Sequence, residues 1–427
     1  MRYACLILGI ACLVACQDAR DARPMERTTF ARFYESSMGQ RAVAAREFDG
    51  GYVLLGSRLT PDDTTGLLIR TGGRGEVLWT SELPGIIPKS LVVGTDAFFV
   101  FGDSILVNPE SPDVNDLIIQ SALLYRISFS GSPTKKLVIA DRSLSNRIDY
   151  TANAITLNSQ DDIIALGTFR EPGVNATERP FVAALGADTF DTLWHKQYNI
   201  IDRDYVNART VHYTAEGYVV WASAILKEQQ TFERTYLSIP FIRETSVFEN
   251  NDVFGATTDQ KLLVGDIQRA STPEFGYGIV GTHAAPSGDN ANLFFARVSS
   301  DGNFVAGSER YFDGQLSASD TPVATFESAS SDAGEALCAT RDGGFVLAGT
   351  MSTTPLRGNG GRDIFLVKVN GMGDILWNKV WGGTGDEAIG SITETADGGL
   401  LLCGSRDASG LPSMFLIKMN AMGEIQD

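Results

Sequence analysis

The sequence predicts an all-β protein, a β-propeller of seven four-stranded blades. Three observations carry the prediction. First, one unit occurs twice near the C-terminus: Asp342-Gly-Gly-Phe-Val-Leu-Ala-Gly-Thr350 returns as Asp397-Gly-Gly-Leu-Leu-Leu-Cys-Gly-Ser405, 55 residues on. A repeat of that length marks a solenoid or a propeller. Second, each copy continues into a matching apolar run and Gly turn, Asp363-Ile-Phe-Leu-Val-Lys-Val-Asn370 with Gly371-Met-Gly373, and Ser413-Met-Phe-Leu-Ile-Lys-Met-Asn420 with Ala421-Met-Gly423. Third, these runs are short, rich in Val, Ile, Leu and Phe, and lack helical spacing. Asp-Gly between two of them predicts a tight hairpin, and a type I′ turn needs positive φ at both central positions. Each unit is thus four antiparallel strands, a to d. Such sheets bury both faces when stacked around an axis.

Residues 1–15 precede the fold as a lipoprotein signal peptide. Arg2 is a short positive n-region, and Cys5 to Ala15 is an apolar h-region too short to span a bilayer. The segment ends in Leu13-Val-Ala-Cys16, which resembles the bacterial lipobox. That resemblance implies cleavage that exposes Cys16 and acyl chains carried on it, and several acyl chains anchor a protein stably where one does not. Gln17 follows the cysteine, with Asp18 one place later, so the expected address is the outer membrane, on its periplasmic or surface-exposed side. Residues 16–28 are polar and charged and read as a tether. Residues 29–427 read as a single propeller domain.

Blade 1 uses Arg41 to Phe48, Tyr52 to Ser57, Gly66 to Arg70 and Gly75 to Trp79. The strand-like segment 29–35 before it occupies a strand d position. The C-terminal repeat stops at Gly423-Glu-Ile-Gln-Asp427, where its own strand d should begin. Segment 29–35 is therefore expected to join the C-terminal blade and close the ring. Blades 2, 3 and 5 are read within 90–139, 152–194 and 262–312. Blade 4 is the most degraded, with strands a and b over 208–213 and 217–223, and strands c and d over 235–240 and 245–249. Asp342 and Asp397 begin the hairpins of blades 6 and 7.

The formal net charge is −17. Loss of the signal peptide removes Arg2 and leaves −18. This speaks against a nucleic-acid partner, whose phosphates call for clustered Lys and Arg. Cys338 and Cys403 sit on apolar strands of different blades and read as small buried residues, not a disulfide. Gly276-Tyr-Gly-Ile-Val-Gly281 matches G-x-G-x-x-G but lies inside a strand, so a dinucleotide role is not expected. Trp79, Trp194 and Trp377 share one repeat position and read as packing between blades. Tyr205 and Trp381 are the aromatics placed to stack on a sugar. His195, His212 and His283 fall in different blades, and no zinc or calcium loop spacing occurs. No cofactor, metal or catalytic residue is assigned.

The long b–c and d–a connections, 104–115, 169–180, 313–331 and 351–362, project from one face of a propeller. Loops on a rigid scaffold are where binding concentrates. The residues assigned to that face are Arg147, Asp149, Arg203, Asp204, Tyr205, Arg357, Arg362 and Asp386.

The frame Asp363-Ile-Phe-Leu-Val-Lys-Val-Asn370 with Asp342-Gly-Gly-Phe-Val-Leu-Ala-Gly-Thr350 resembles the degenerate propeller repeats of secreted and surface proteins of the Bacteroidota. The likeness is specific over 332–427, fair over 29–85 and weak between. It implies no catalytic residues. The expected function is that of a lipid-anchored, non-catalytic envelope protein that binds a protein or glycan or acts as a scaffold. The alternative is an enzyme acting on polysaccharide with loop carboxylates around the channel.

Overall fold

The computed structural model describes residues 29–59, 64–107, 118–139, 148–171, 178–198, 203–215, 217–226, 237–238, 253–254, 261–284, 291–312, 332–354, 357–407 and 410–426. The signal peptide, the tether with Cys16, and Arg147 lie outside them. The chain is a β-propeller. Blade 1 is β2 (Gly39–Phe48), β3 (Gly51–Leu59), β4 (Thr64–Thr71) and β5 (Val77–Pro84). Blade 2 is β6 (Ile87–Val93), β7 (Ala97–Val107), β8 (Ile118–Ser128) and β9 (Pro133–Ile139). Blade 3 is β10 (Asp149–Leu157), β11 (Ile163–Arg170), β12 (Glu178–Leu185) and β13 (Thr192–Gln197). Blade 5 is β18 (Lys261–Arg269), β19 (Tyr277–Ala284), β20 (Ala291–Val298) and β21 (Arg310–Phe312). Blade 6 is β22 (Ala333–Ala339), β23 (Phe345–Thr354), β24 (Arg357–Val369) and β25 (Ile375–Trp381). Blade 7 is β26 (Asp386–Glu394), β27 (Leu400–Asp407), β28 (Ser413–Met419) and, as its outer strand, β1 (Phe30–Tyr34). β1 runs antiparallel to β28, with Phe30 opposite Lys418 and Tyr34 opposite Met414. The ring closes through its N-terminal strand.

The count of seven four-stranded blades is corrected: among the described residues six are complete, and the expected strand 245–249 of the fourth lies outside them. The fourth station holds the hairpin β14 (Arg203–Thr214) and β15 (Gly217–Leu226), followed by a separate two-residue pair, β16 (Leu237–Ser238) with β17 (Val253–Phe254). The sequence around β16 is a short apolar run ending at Pro240, which has no N–H for a ladder. The hairpin still keeps its place in the ring. Val211, Tyr218 and Val220 pack on Ile164, Leu166 and Val182 of blade 3, while Val219 and Trp221 pack on Leu262, Tyr277 and Ile279 of blade 5.

Every innermost strand carries a β-bulge at the same level. The register skips Val43, Lys89, Asn153, Arg209, Gly265, Glu335 and Gly390 in β2, β6, β10, β14, β18, β22 and β26. A bulge bends its strand and leaves one residue unpaired. The bend drives the carbonyl two residues before the bulge against the neighbouring strand, where glycine stands in every blade but the fourth. A Cβ on Gly102, Gly167, Gly281, Gly349 or Gly404 would run into the carbonyl oxygen of Ile87, Thr151, Leu263, Ala333 or Ala388. Ala222 takes this position in β15, whose partner β14 has a second register shift.

The residue after that position is polar in every blade, and in blades 2, 3, 5 and 7 it accepts an N–H from the blade that follows. The Ala42 N–H donates to Ser405 Oγ (2.9 Å), Ala152 to Asp103 (2.7 Å), Ala208 to Thr168 Oγ1 (3.4 Å) and Gly334 to Thr282 Oγ1 (3.2 Å). At blade 7, Ile389 donates to Glu335 (3.2 Å), itself held by the Thr350 hydroxyl at 2.8 Å. A second row lies one step deeper: Ala45, Ile155 and Leu337 donate to Ser391, Ser90 and Asp266 of the preceding blade at 3.0, 3.2 and 3.1 Å. Each such bond contributes about 1 kcal/mol.

The Asp-Gly hairpins need one correction. Both central residues have positive φ only at Asp49 and Gly50 (43° and 70°). In blades 6 and 7 only Gly343 and Gly398 do, at 84° and 80°, so these are longer loops ending in a glycine bulge. There the aspartate accepts from Thr340 or Thr395 and from a buried lysine of the same blade: Lys368 Nζ meets Asp342 at 2.8 Å and Lys418 Nζ meets Asp397 at 2.9 Å. The recurrent tryptophans pack between blades, as expected. Trp79 lies under Gly131 of blade 2, Trp377 under Gly423 of blade 7, and Trp194 stacks on Tyr218 at 5.1 Å. Cys338 and Cys403 are buried free thiols. Of the G-x-G-x-x-G glycines, Gly278 makes room for the Phe345 ring and Gly281 for the Leu263 carbonyl.

Two predictions follow from the bulge and the closure. Gly349→Val should cost about 1–3 kcal/mol through overpacking, read as a lower midpoint in thermal or urea unfolding. A chain lacking Phe30–Tyr34 leaves the edge of β28 open and should appear as higher oligomers in size-exclusion chromatography.

Candidate functional site

The seven inner strands surround an axial cavity of about 710 Å³, within the usual range of small-molecule sites. The bulges decide what it shows. All seven bulged residues line it, so Lys89, Asn153 and Arg209 form an arc from three consecutive stations, with Glu335 farther round between Gly265 and Gly390. A deeper layer contains Arg46, His212, Asp266, Gln268 and Cys338, and Arg341 with Glu394 lies beyond it.

The three carboxylates of this lining are engaged by the ring itself. Asp266 accepts from the N–H groups of Ile267 and Leu337 and from the Gln268 amide at 2.8–3.1 Å. Burial raises its pKa, against the pull of these bonds and of Arg46. Glu335 accepts from Thr350 and Ile389. Glu394 accepts from the Arg341 N–H at 3.0 Å and pairs with that guanidinium at 3.6 Å. Burial takes His212 down to about 4, so its ring is neutral, with Nε2 3.0 Å from the Ile267 carbonyl. Burial pushes the Cys338 thiol up to about 12.

The arginines differ. Arg209 Nε donates to Ser223 Oγ at 3.2 Å, and neither of its Nη groups has a partner among the described residues. Burial alone lowers its pKa. Arg46 donates to its neighbour's carbonyl, Ala45 O, at 2.8 Å. Lys89 lies 3.7 Å from Asp103, a loose pair at a half-exposed site.

The residues assigned to the loop face are placed otherwise than a loop reading implies. Arg203, Asp204 and Tyr205 lie in β14, and Arg357 and Arg362 lie in β24. The expected loop 351–362 is largely a longer hairpin, because β23 runs to Thr354 and β24 starts at Arg357. Asp149 and Asp386 open their strands. Arg362 and Asp386 meet, since the Arg362 N–H donates to Asp386 Oδ1 at 2.9 Å. The Arg362 guanidinium reaches Thr350 Oγ1 at 2.7 Å, and Thr350 holds Glu335, so this pair touches the channel wall through one hydroxyl. Asp149 stands apart, accepting from the Gln120 N–H at 3.3 Å beside a 50 Å³ cavity. Trp381 belongs to a three-ring cluster, stacked on Phe33 at 6.3 Å and tilted against Phe415 at 5.7 Å, so one of its faces is already covered by Phe33. The channel arc is absent from the residues assigned on sequence. No residue type marks it; the equivalent positions of strand a show only once the strands are aligned on the Gly-Ser, Gly-Thr or Gly-Asp pairs of strand b, with Ala222-Ser223 in their place at the fourth station.

One acidic pair lies off the channel. Asp363 and Glu387 are buried at the junction of blades 6 and 7, beneath Gly382 and Gly383. Burial pushes Glu387 up to about 7, with Asp363 adding to it and the Gly383 N–H and Arg406 opposing. Among the described residues no group of three or more His, Cys, Asp or Glu is placed to hold a metal, and no helix is long and apolar enough to cross a membrane.

No family model matches the chain, and no curated protein matches it. Among solved structures it is similar to a polysaccharide lyase, Uly1, over 95% of both chains at 11% identity with a TM-score of 0.55. It is less similar to the Trypanosoma rangeli sialidase, at 10% identity and a TM-score of 0.41, covering 92% of this chain and 58% of that one. At 11% identity the likeness to the lyase is one of fold, the β-propeller.

The acidic pair yields a pH prediction. A carboxyl whose folded pKa lies above its unfolded value favours the folded state at low pH, and that contribution is lost as pH rises from about 4.5 to 7. Glu387→Gln should therefore melt higher than wild type at pH 8 and equal to it at pH 4, by circular dichroism.

Proposed function

We propose that this protein is a lipid-anchored, non-catalytic binding protein of the cell envelope, with the axial channel and the face around its mouth as its ligand site. One observation carries the reading. Every carboxylate in the described channel lining is bonded into the ring, and the only histidine there is neutral and bonded to a backbone oxygen. A general acid–base pair needs two groups free to exchange protons with a substrate, and these groups are spent on the scaffold. Arg46 and Arg209, by contrast, keep donors available, while the third arginine of the lining, Arg341, pairs with Glu394. The anchor rests on Leu13-Val-Ala-Cys16 and the polar tether, and the expected address is the outer membrane. Glycans and envelope proteins are the ligand classes that such an address offers.

The second reading, an enzyme acting on polysaccharide, has the lyase of shared fold and matching length as its support.

Two experiments test the proposal. Palmitate labelling of the expressed chain should mark it and place it in the membrane fraction, and Cys16→Ala should remove the label and release the protein. The full-length protein in detergent, screened on a glycan array and by pull-down from envelope extract, should retain a ligand without converting it. Release of new reducing ends or unsaturated sugars from a retained polysaccharide would move the protein to the enzyme reading.

A further inference from the structure

We propose that the channel takes a carboxylate-bearing saccharide, with its acid group on the arc of Lys89, Asn153 and Arg209. This deepens the binding reading and rests on it.

The arc is made of donors. The bulges of β6, β10 and β14 put an ammonium, an amide and a guanidinium at one level of three consecutive stations. Arg209 is fixed at Nε by Ser223, which leaves both Nη groups aimed elsewhere and without a partner among the described residues. A guanidinium with two free N–H edges matches a carboxylate bidentately. Lys89 is held only loosely by Asp103, at 3.7 Å. Deeper in the channel, Arg46 adds a second guanidinium, which donates to the Ala45 carbonyl and also feels the charge of Asp266. The bonds that the cavity's own acids accept temper them as competitors for these cations. Asp266 and Glu335 already accept two or more hydrogen bonds each from neighbouring strands.

The rest of the lining selects the body of the ligand. Thr210 adds a hydroxyl, Ser90 accepts a backbone N–H but keeps its hydroxyl hydrogen, Gln268 donates to Asp266 but keeps its amide oxygen, and no Phe, Tyr or Trp appears in the described lining. A planar aromatic acid would find nothing to stack on, whereas a ring bearing hydroxyls finds polar partners. A volume of about 710 Å³ admits a short oligosaccharide. The net charge of −17 repels a polyanion, so the anionic group is single or sparse and must enter the one cationic arc.

The test is calorimetric titration of the full-length protein in detergent, at low salt, with two sets of probes. One set is galacturonate- and glucuronate-terminated trisaccharides, and the other is their methyl esters. The acids should bind, and the esters at least ~10-fold more weakly, as loss of a charged hydrogen-bonding partner implies. Arg209→Gln should weaken acid binding by ~10-fold or more while leaving ester binding unchanged. Arg209→Lys should restore part of it, and Lys379→Gln, outside the channel, should bind as wild type. If Arg209→Gln fails to fold, Lys89→Gln and the acid–ester ratio carry the same comparison. Equal binding of acid and ester overturns the assignment, as does a folded Arg209→Gln variant with wild-type affinity, or no binding by either acid. A neutral glycan or a protein retained in the earlier screen while both acids are ignored overturns the assignment alone and leaves the binding reading standing.

Discussion

One bulge, repeated at every inner strand, is the constraint on which this propeller depends. The extra residue bends strand a, and the bend presses a carbonyl onto strand b, where glycine stands in all blades but the fourth. The bend also turns backbone N–H groups away from their own sheet, toward the preceding blade. Ser405, Asp103, Thr168 and Thr282 accept those N–H groups. The close approach and the stitch are therefore two results of one backbone deformation. The closing strand β1 completes the arrangement, so the Ser405-to-Ala42 contact between the last and first blades has the form seen within the ring.

The same deformation sets the chemistry of the channel. A regular strand would send residues such as Lys89 and Arg209 back into sheet pairing. The bulge frees them, and one level of the axis becomes a ring of chosen side chains. Structure takes the acids of this ring. Asp266 and Glu335 supply acceptors that the small hydroxyl residues supply elsewhere. What remains open is cationic, inside a protein that is acidic overall. The buried Asp363–Glu387 pair shows the opposite use of charge: two acids enclosed between blades, where burial raises Glu387 to about 7.

Much of this fold was legible in the sequence because its signals are local. Asp-Gly-Gly turns, apolar runs and the tryptophan of strand d mark elements without knowledge of their partners, and the matching gaps at 29–35 and 423–427 marked the closure. The hidden parts depend on distant pairing. The bulge has no residue signature of its own, since Val43, Lys89, Gly265 and Glu335 share no chemistry. It emerges only when seven strands are aligned on the glycine opposite. Sequence signals point instead to loops such as 351–362, which extend the hairpin of β23 and β24. Blade 4 was hard to read for a different reason: Leu237–Ser238 and Val253–Phe254 are each too short to show alternation.

The most direct test of the central claim is a diffraction structure of the protein with a galacturonate-terminated trisaccharide. The account predicts the sugar in the axial channel at the level of the bulges, its carboxylate within hydrogen-bond distance of the Arg209 Nη groups and of Lys89 or Asn153. Sugar bound outside the channel, or inner strands that run without bulges and turn Lys89 and Arg209 away from the axis, would contradict it.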